Sequence, residues 1–324
     1  MNAGGRTGLR IILPALVLVA GASQAQNYPA RAVRIISPFA AGGSNDVVAR
    51  ITAAKLTEAL GQGFIVDNRP GAGGALGTEL GAKAAPDGYT LTSVSNATLA
   101  IVPALRKVNY DANRDFAPIS TVGTSPYIIV VHPSLPVKTV QDLIALVKVR
   151  PGQVEYGSGG VGTPGHLAGA MLAQMSGTRM THVPYKAGNL ALNDLLGGHI
   201  SLTFSNTITV SELIQGGKVR ALAATSAKRI ARFPALPTVA ESGVPKYDFS
   251  LWLGLAAPAA TPGAIVQQLH KALATILQMK DFQSRMDTQS IETLGSTPQE
   301  FSDKIRRDII TYAQLVKDTG ARAD

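Results

Sequence analysis

The regular alternation of short β-branched segments with longer helical segments is the feature that most constrains how this chain folds. Helices are predicted from about Asn45 and from about Ala75, each after a strand-like segment. The segments with the composition of strands are "AVRIIS", "GFIVDN", "YTLTSV", "YIIVV", "QVEYGS", "THVPY", "ISLTF" and "RALAATS". Because strands that alternate with helices form parallel sheets covered by helices, the pattern predicts an α/β fold.

Two stretches are typical of connections between separate lobes. Residues 124–137 and 247–262 each run from an apolar segment into a proline-rich loop. If both cross between lobes, residues 26–125 and 251–324 form a discontinuous lobe I and residues 126–250 form lobe II. We therefore expect a two-lobe fold, each lobe a mainly parallel sheet flanked by helices, with the ligand cleft between the lobes.

The first 25 residues have the pattern of a signal peptide. Arg6 and Arg10 precede the apolar run "IILPALVLVA", and the small residues Ser23 and Ala25 precede a cleavage point. The run has ten residues, which is shorter than the span of about 20 that crosses a bilayer. Residues 1–25 are therefore predicted to be a signal peptide, and the mature protein is expected in the periplasm.

Composition excludes several classes of function. Without the leader, 28 Lys and Arg residues stand against 21 Asp and Glu residues, a scattered net charge of about +7. Since only 5% of residues are aromatic and no basic stripe is visible, no nucleic-acid partner is expected, and the diffuse positive field favours small anions. The lack of cysteine excludes disulfides, thiolate catalysis and Cys-ligated metals. We expect a monomer.

A first glycine loop joins the first strand to the first helix in "SPFAAGGSNDVVARI". The start of a helix offers unpaired backbone N–H groups and a partial positive charge, and glycines let a carboxylate come close. Asp46 either interacts with the helix dipole or contacts the ligand, since both roles suit an acid in the first turn. The candidate ligand-binding residues here are Phe39, Ala40, Ala41, Gly42, Gly43, Ser44 and Asp46.

A second glycine loop, in "EYGSGGVGTPGHLAGAM", has the G-x-G-x-x-G spacing of a dinucleotide-binding turn. Such a turn requires an acidic residue about 20 positions further on to hold the ribose, and that region reads "THVPYKAG" instead. The loop is therefore interpreted as a second anion site. His166 is either a ligand donor or a histidine satisfied by backbone groups. The candidates here are Ser158, Gly159, Gly160, Thr163, His166 and Lys186.

Neither catalytic activity nor a bound cofactor is expected. The string around Ser158 lacks the glycine two positions earlier that G-x-S-x-G requires, and the five histidines lack zinc-binding spacing. No catalytic residue, metal or cofactor is therefore predicted.

Ser95 and Asn96 are two further candidate ligand-binding residues. They follow a strand and either cap a helix or reach the cleft.

Seven motifs, in sequence order, resemble the Bug family, the periplasmic receptors of tripartite tricarboxylate transporters. They cover essentially the whole mature chain and are "YPARAVRIISPFAAGGSNDVVAR", "FIVDNRPGAGGALGTELGAKAAPDGYTL", "HPSLPVKTVQDLIALVK", "YGSGGVGTPGHLAG", "HVPYKAG", "NDLLGGHI" and "ALPTVAESGVP". The resemblance implies a periplasmic binding fold that closes over a carboxylate or dicarboxylate, held at the two glycine loops. It also implies integral membrane transporter subunits as partners.

Two positions depart from the family pattern. Ala187-Gly188 stands where the family often has Gly-Gly, and Ser205-Asn206 stands where an Asp-Asn pair is common. Because an Asp there could bind an amino group, Ser205 favours ligands other than amino acids, and Ser205 and Asn206 complete the candidate site. Two alternatives to a transport receptor stay open at this point: a periplasmic ligand sensor that acts on a signalling protein, and an exported enzyme.

Overall fold

The computed structural model of the chain describes Met1 and residues 28–321, so the predicted signal peptide, apart from Met1, lies outside the described residues. The strands are β1 (Val33–Ser37), β2 (Phe64–Asn68), β3 (Thr90–Ser95), β4 (Phe116–Val131), β5 (Glu155–Ser158), β6 (Thr181–Pro184), β7 (Leu202–Asn206), β8 (Arg220–Ala224), β9 (Ser250–Pro258) and β10 (Glu292–Thr293).

Helices follow most of the strands. They are α1 (Ser44–Leu60), α2 (Ala75–Ala82), α3 (Val102–Leu105), α4 (Val140–Val149), α5 (Pro164–Ser176), α6 (Gly188–Leu196), α7 (Thr207–Gln215), α8 (Gly263–Ile276), α9 (Lys280–Thr288) and α10 (Pro298–Thr319). Short helical turns at Ala72–Gly74 and Ala97–Ile101 precede α2 and α3. Within residues 28–321, no helix combines the length and the apolar character needed to cross a membrane.

One strand, β4, joins two halves of the sheet. The strand order is β2-β1-β3-β9-β4-β7-β5-β6, and β10 and β8 also pair with β4. Residues 116–126 of β4 pair with β9, whereas residues 127–131 pair with β7 and β8. We call the half that contains β1 the first lobe and the half that contains β5 the second lobe. This is the two-lobe fold expected from the sequence.

Parallel strands form the outer part of each lobe and antiparallel strands form the centre. The strands β2, β1 and β3 are parallel, as are β6, β5 and β7. By contrast, β9 runs antiparallel to both β3 and β4. Within residues 247–262, which were expected to connect the lobes, Ser250–Pro258 form strand β9 because both of its edges find a partner.

Each lobe has its own apolar core, and α10 packs against both. The α1 helix begins after Gly43 and ends at Gly61, which has φ +70°. Its buried face includes Ala49, Ala53 and Leu56. Phe301 and Ile305 of α10 pack with first-lobe residues, while Tyr312, Leu315 and Val316 pack with second-lobe residues. Burial of each large side chain contributes roughly 1.5–3 kcal/mol, so α10 holds the two lobes together.

Candidate functional site

The carboxylate of Asp46 organises the first glycine loop. Its Oδ2 accepts hydrogen bonds from the Gly42 N–H at 2.9 Å and from Arg50 Nε at 3.0 Å, and its Oδ1 accepts from the Asn68 amide at 2.8 Å. Burial alone would raise the pKa of Asp46, but these hydrogen bonds outweigh it and hold the pKa below its ordinary value. Gly42 has φ +85°, which glycine adopts without strain. Asp46 therefore shapes this loop, and its contact with a ligand stays a prediction.

The rest of the first loop is open to solvent. Phe39 is half-buried, and its ring lies over Gly74, where an added Cβ would be 3.0 Å from the Phe39 Cζ atom. The turn that contains Gly74 thus packs beside the first loop. The neighbouring residues Ala40, Ala41, Gly42 and Gly43 are exposed, and Ser44 is partly exposed at the first turn of α1.

Ser158 is the centre of the second glycine loop. Its Oγ accepts from the Gly160 N–H at 3.1 Å and lies 2.6 Å from His182 Nε2. The Thr163 hydroxyl donates to the Gly160 carbonyl at 2.7 Å. Gly160 has φ +119° and Gly162 has φ +78°, so the turn requires glycine at both positions.

His166 lies behind this loop, stacked on His182. The Gly162 N–H donates to His166 Nδ1 at 3.0 Å, and the two imidazole centroids are 4.0 Å apart. Burial lowers the pKa of His166 to about 4, and burial together with the neighbouring His166 lowers the pKa of His182 to about 4. Both rings are therefore neutral near pH 7. They face a different cavity, of about 420 Å³, which is bounded partly by α10.

A cavity of about 390 Å³ lies at the carboxyl ends of β5 and β7, beside the first turns of α5, α6 and α7. Its position matches the general preference of ligands for the carboxyl ends of strands in α/β sheets. Within the described part of the chain, no charged side chain lines it. The lining residues are Tyr127, Gly157, Ser158, Gly159, Thr163, Pro164, Gly165, Gly188, Asn189, Ala191, Thr203, Phe204, Ser205, Asn206 and Thr209.

The structure brings five of the candidate residues into this lining: Ser158, Gly159, Thr163, Ser205 and Asn206. Besides Ser158 and Thr163, whose partners are given above, Asn206 and Ser205 also have partners within the protein. The Asn206 amide donates to Ser125 Oγ at 2.7 Å and its Oδ1 accepts from the Ile208 N–H at 2.9 Å, so Asn206 caps α7. The hydroxyls of Thr203 and Ser205 lie 2.8 Å apart and bond to each other.

Other candidate residues lie elsewhere. The Asn96 amide donates to the Ser250 carbonyl at 2.9 Å and to the Tyr312 hydroxyl at 3.0 Å. The Ser95 Oγ accepts from the Thr98 N–H at 3.4 Å, which is the capping role left open by the sequence. Lys186 is exposed. The structure places Ser95, Asn96, Gly160, His166, Lys186 and the first-loop residues outside the lining of the 390 Å³ cavity.

Sequence reasoning missed the lining residues Tyr127, Asn189 and Thr209. Asn189 and Thr209 lie in the first turns of α6 and α7, and these helices follow predicted strands just as α5 does. The same rule that selected the second glycine loop could therefore have selected these two positions. No group of three or more His, Asp or Glu side chains in the described residues could hold a metal ion.

The chain matches the tripartite tricarboxylate transporter family receptor (TctC) over residues 48–321. It is 37% identical to the protein BugT of Bordetella pertussis over an alignment of 306 residues. This alignment covers 94% of this chain and 94% of BugT. The chain belongs to this family of receptors. The resemblance to the Bug family is therefore confirmed.

Two solved structures are similar to this chain in fold as well as in sequence. The protein Rpa4515 of R. palustris, determined with adipate, is 35% identical with a TM-score of 0.74, covering 91% of this chain and 99% of that one. MatC from Rhodopseudomonas palustris, with bound malate, is 28% identical with a TM-score of 0.70, covering 89% of this chain and 100% of that one. These likenesses confirm the two-lobe fold.

Proposed function

We propose that this protein is a periplasmic receptor that captures a small organic acid between its two lobes and delivers it to integral membrane transporter subunits. The observation that carries the proposal is the 390 Å³ cavity beside the first turns of α5, α6 and α7. The first N–H groups of a helix have no partner within the helix, and the helix dipole favours negative charge there. Such a cavity attracts a carboxylate without any cationic side chain.

The ligand class proposed is a dicarboxylate or related organic acid. Adipate and malate are bound by two proteins of similar fold and clear sequence identity. The first glycine loop, whose residues 40–43 are exposed beside the start of α1, faces the same ligand from the other lobe when the lobes close. Residues 26–125 with 251–324, and residues 126–250, are the lobes we propose to move against each other.

An exported enzyme is the alternative that one contact favours, because Ser158 Oγ lies 2.6 Å from His182 Nε2. Two observations argue against a nucleophile and its base. Burial lowers the pKa of His182 to about 4, so the imidazole is a poor acceptor for a serine proton. In addition, no carboxylate among the described residues bonds to His182 Nδ1 to orient the ring as a triad requires.

A thermal-shift panel of succinate, glutarate, adipate, malate, citrate, benzoate, glutamate and NAD tests the receptor function. A ligand that binds only the folded state adds about 2.7 kcal/mol at one hundred times its Kd, which raises Tm by a few degrees in a chain of this size. We expect at least one carboxylate to give this shift, NAD to give none, and the acid to be recovered unchanged after long incubation. Turnover of the acid, or a shift with NAD alone, would contradict the proposal.

A further inference from the structure

Three side chains that line the 390 Å³ cavity have polar atoms without a hydrogen-bond partner among residues 28–321: Tyr127, Asn189 and Thr209. The other polar side chains of the lining are engaged within the protein. Ser158, Thr163 and Asn206 bond to backbone or side-chain atoms of the second lobe or of β4. The Thr203–Ser205 pair uses one hydroxyl proton for its own bond. The three unengaged groups are therefore the side chains most available to a ligand.

Tyr127 is fixed where β4 changes from one lobe to the other. Its N–H donates to Thr225 Oγ1 at 2.9 Å, and its carbonyl accepts from the Thr225 N–H at 2.9 Å. Its ring packs edge-to-face on Phe249, with centroids 6.1 Å apart. Burial raises the pKa of the Tyr127 phenol well above its ordinary value, so the hydroxyl keeps its proton and can donate.

Asn189 and Thr209 line the cavity from two helices. Asn189 is the second residue of α6 and Thr209 is the third residue of α7, and both are exposed. Their side chains stand beside the same first turns whose N–H groups attract a carboxylate. A ligand held by those backbone groups therefore meets an amide and a hydroxyl from these two helices.

The chemistry of the lining selects what these groups can bind. A phenol, an amide and a hydroxyl supply neutral donors to an oxygen acceptor, whereas an ammonium group requires a carboxylate or several acceptors. Neither Asp nor Glu lines the cavity within the described residues. A buried acceptor without its donor is costly, so a site built from free donors discriminates strongly against a ligand that leaves them unpaired.

We propose that Tyr127, Asn189 and Thr209 are specificity-determining residues that bind a second oxygen-bearing group of the ligand, most simply the second carboxylate of a dicarboxylate. The inference rests on the proposed function, because it assumes that a first carboxylate is held at the helix N-termini. It goes beyond that function in assigning the side chains that distinguish a dicarboxylate from a monocarboxylate of the same length.

Isothermal titration with matched acids tests this assignment. The pairs are succinate with butyrate, glutarate with pentanoate and adipate with hexanoate, in which a methyl group replaces one carboxylate. The wild-type protein is expected to prefer the dicarboxylate in at least one pair. Tyr127→Phe, Asn189→Ala and Thr209→Val should each weaken that dicarboxylate by about 3- to 10-fold and change the monocarboxylate by less than about twofold.

Two control variants change the same chemical groups outside the cavity. Tyr185→Phe removes a phenol whose hydroxyl donates to Asp194 at 2.7 Å, and Asn193→Ala removes an exposed amide further along α6. Both should keep the wild-type preference. Each variant is also melted, so that unfolding is separated from a change of affinity.

The outcomes separate the two proposals. A wild-type protein that binds none of these acids, nor malate or citrate, would overturn the receptor function and this inference together. Binding without preference for the dicarboxylate, or a preference that all three variants retain, would overturn the inference and leave the receptor function standing. If only one or two of the variants lose the preference for the dicarboxylate, each residue whose variant keeps that preference is removed from the assignment.

Discussion

At the scale of single residues, His166 and His182 connect the second glycine loop with the C-terminal helix, α10. Their rings line the 420 Å³ cavity together with Leu315 and Asp318 of α10. His166 Nδ1 accepts from the Gly162 N–H, so protonation of this nitrogen would break a bond that holds the second glycine loop. The buried pair therefore requires both imidazoles to stay neutral.

This requirement predicts acid sensitivity between about pH 6.5 and pH 4. An unfolded histidine has a pKa of about 6.5, while His166 has a folded-state pKa of about 4. In this window the unfolded state binds more protons than the folded state, so the free energy of unfolding falls as the pH falls. The loss attributable to His166 is about 3 kcal/mol, and urea unfolding at pH 7.5 and pH 4.5 measures most of it.

His166→Gln isolates this effect, because glutamine has no proton to gain. The variant should lose less stability than the wild type between the two pH values, although it is less stable at pH 7.5. His199→Gln, which changes an exposed histidine, should retain the wild-type pH dependence. Equal pH dependence in His166→Gln and wild type would contradict the argument.

Asp46 gives a second prediction at this scale. Asp46→Ala leaves the Gly42 N–H, the Asn68 amide and the Arg50 guanidinium without their shared acceptor. We expect a loss of about 1–3 kcal/mol in the free energy of unfolding and weaker ligand binding, because the first glycine loop loses its support. The carboxylate of Asp142, which caps the exposed start of α4, is the control.

Urea unfolding and titration with the best-bound acid check both effects. Asp142→Ala should cost about 1 kcal/mol of stability and leave affinity unchanged, since Asp142 does not line the 390 Å³ cavity and bonds only at the start of α4. Equal affinities in Asp46→Ala and wild type would show that the first loop needs no support from its acid to bind.

At the scale of elements, the second glycine loop and the start of α6 are in close contact. A Cβ added to Gly159 would lie 2.9 Å from the backbone nitrogen of Gly188. In the corresponding loop of the first lobe, a Cβ on Gly43 would meet only the Ala40 carbonyl oxygen, at 3.6 Å. Gly43 also has φ −76°, which any residue adopts. The two loops therefore differ in their tolerance of a methyl group.

Gly159→Ala and Gly43→Ala test this difference through their effects on the free energy of unfolding and on affinity. Gly159→Ala should lower the free energy of unfolding by about 1–3 kcal/mol and reduce affinity, because the backbone of α6 has to shift in the cavity wall. Gly43→Ala should leave stability within about 0.5 kcal/mol of the wild type. Similar stabilities for the two variants in urea would contradict the contact between the loop and α6.

The elements that sequence could predict are those with a local cause. Strands β1 to β3 and β6 to β8 contain β-branched or apolar residues, and glycines mark where the first and second loops begin. The first part of β4 contains Pro118, Gly123 and Pro126, which are local signals of interruption. It forms a strand nevertheless, because it pairs with β9 and absorbs the irregularity in two register shifts. Such pairing is a tertiary effect without a local signature.

The residues of the candidate site likewise fall into two groups: those that a local sequence pattern predicts and those that only strand pairing brings to the cavity. Ser158 and Gly159 were accessible to prediction because a strand, glycines and a helix start follow one another in the chain. Tyr127 was not, because it reaches the cavity only through the pairing of β4 with β7. The contact of Ser158 with His182 joins residues 24 positions apart and depends on β5 and β6 lying side by side.

At the scale of the whole molecule, the lobes meet at a few side chains besides the shared strand. The Ala231 N–H of the second lobe donates to Glu292 of β10 at 3.1 Å. Leu105 of α3, on the side of the first lobe, lies against the second glycine loop, and a Cβ added to Gly162 would be 2.7 Å from its Cδ1 atom. A change in the separation of the lobes would therefore alter the contact between Leu105 and the second glycine loop, where we propose that the ligand binds.

Closure of the lobes on the ligand can be tested at this contact. Gly162→Ala places a methyl group between the lobes, but it also strains a residue with φ +78°. Gly177→Ala is the matched control, because Gly177 has φ +63° and an added Cβ would meet no atom within 4 Å. The difference between the two variants in contraction and affinity therefore reports the steric contact of the new methyl group with Leu105 rather than the backbone strain.

In small-angle scattering, the radius of gyration of the wild type and of Gly177→Ala should fall when a bound dicarboxylate is saturating. Gly162→Ala should contract less and bind about fivefold more weakly than Gly177→Ala, which corresponds to about 1 kcal/mol lost in the closed state. Adding Leu105→Ala to Gly162→Ala should restore both the contraction and the affinity, since it removes the side chain that the new methyl group meets. Because this rescue acts only through contact between the two positions, its absence, or a wild type whose dimensions do not change with ligand, would rule out closure at this contact.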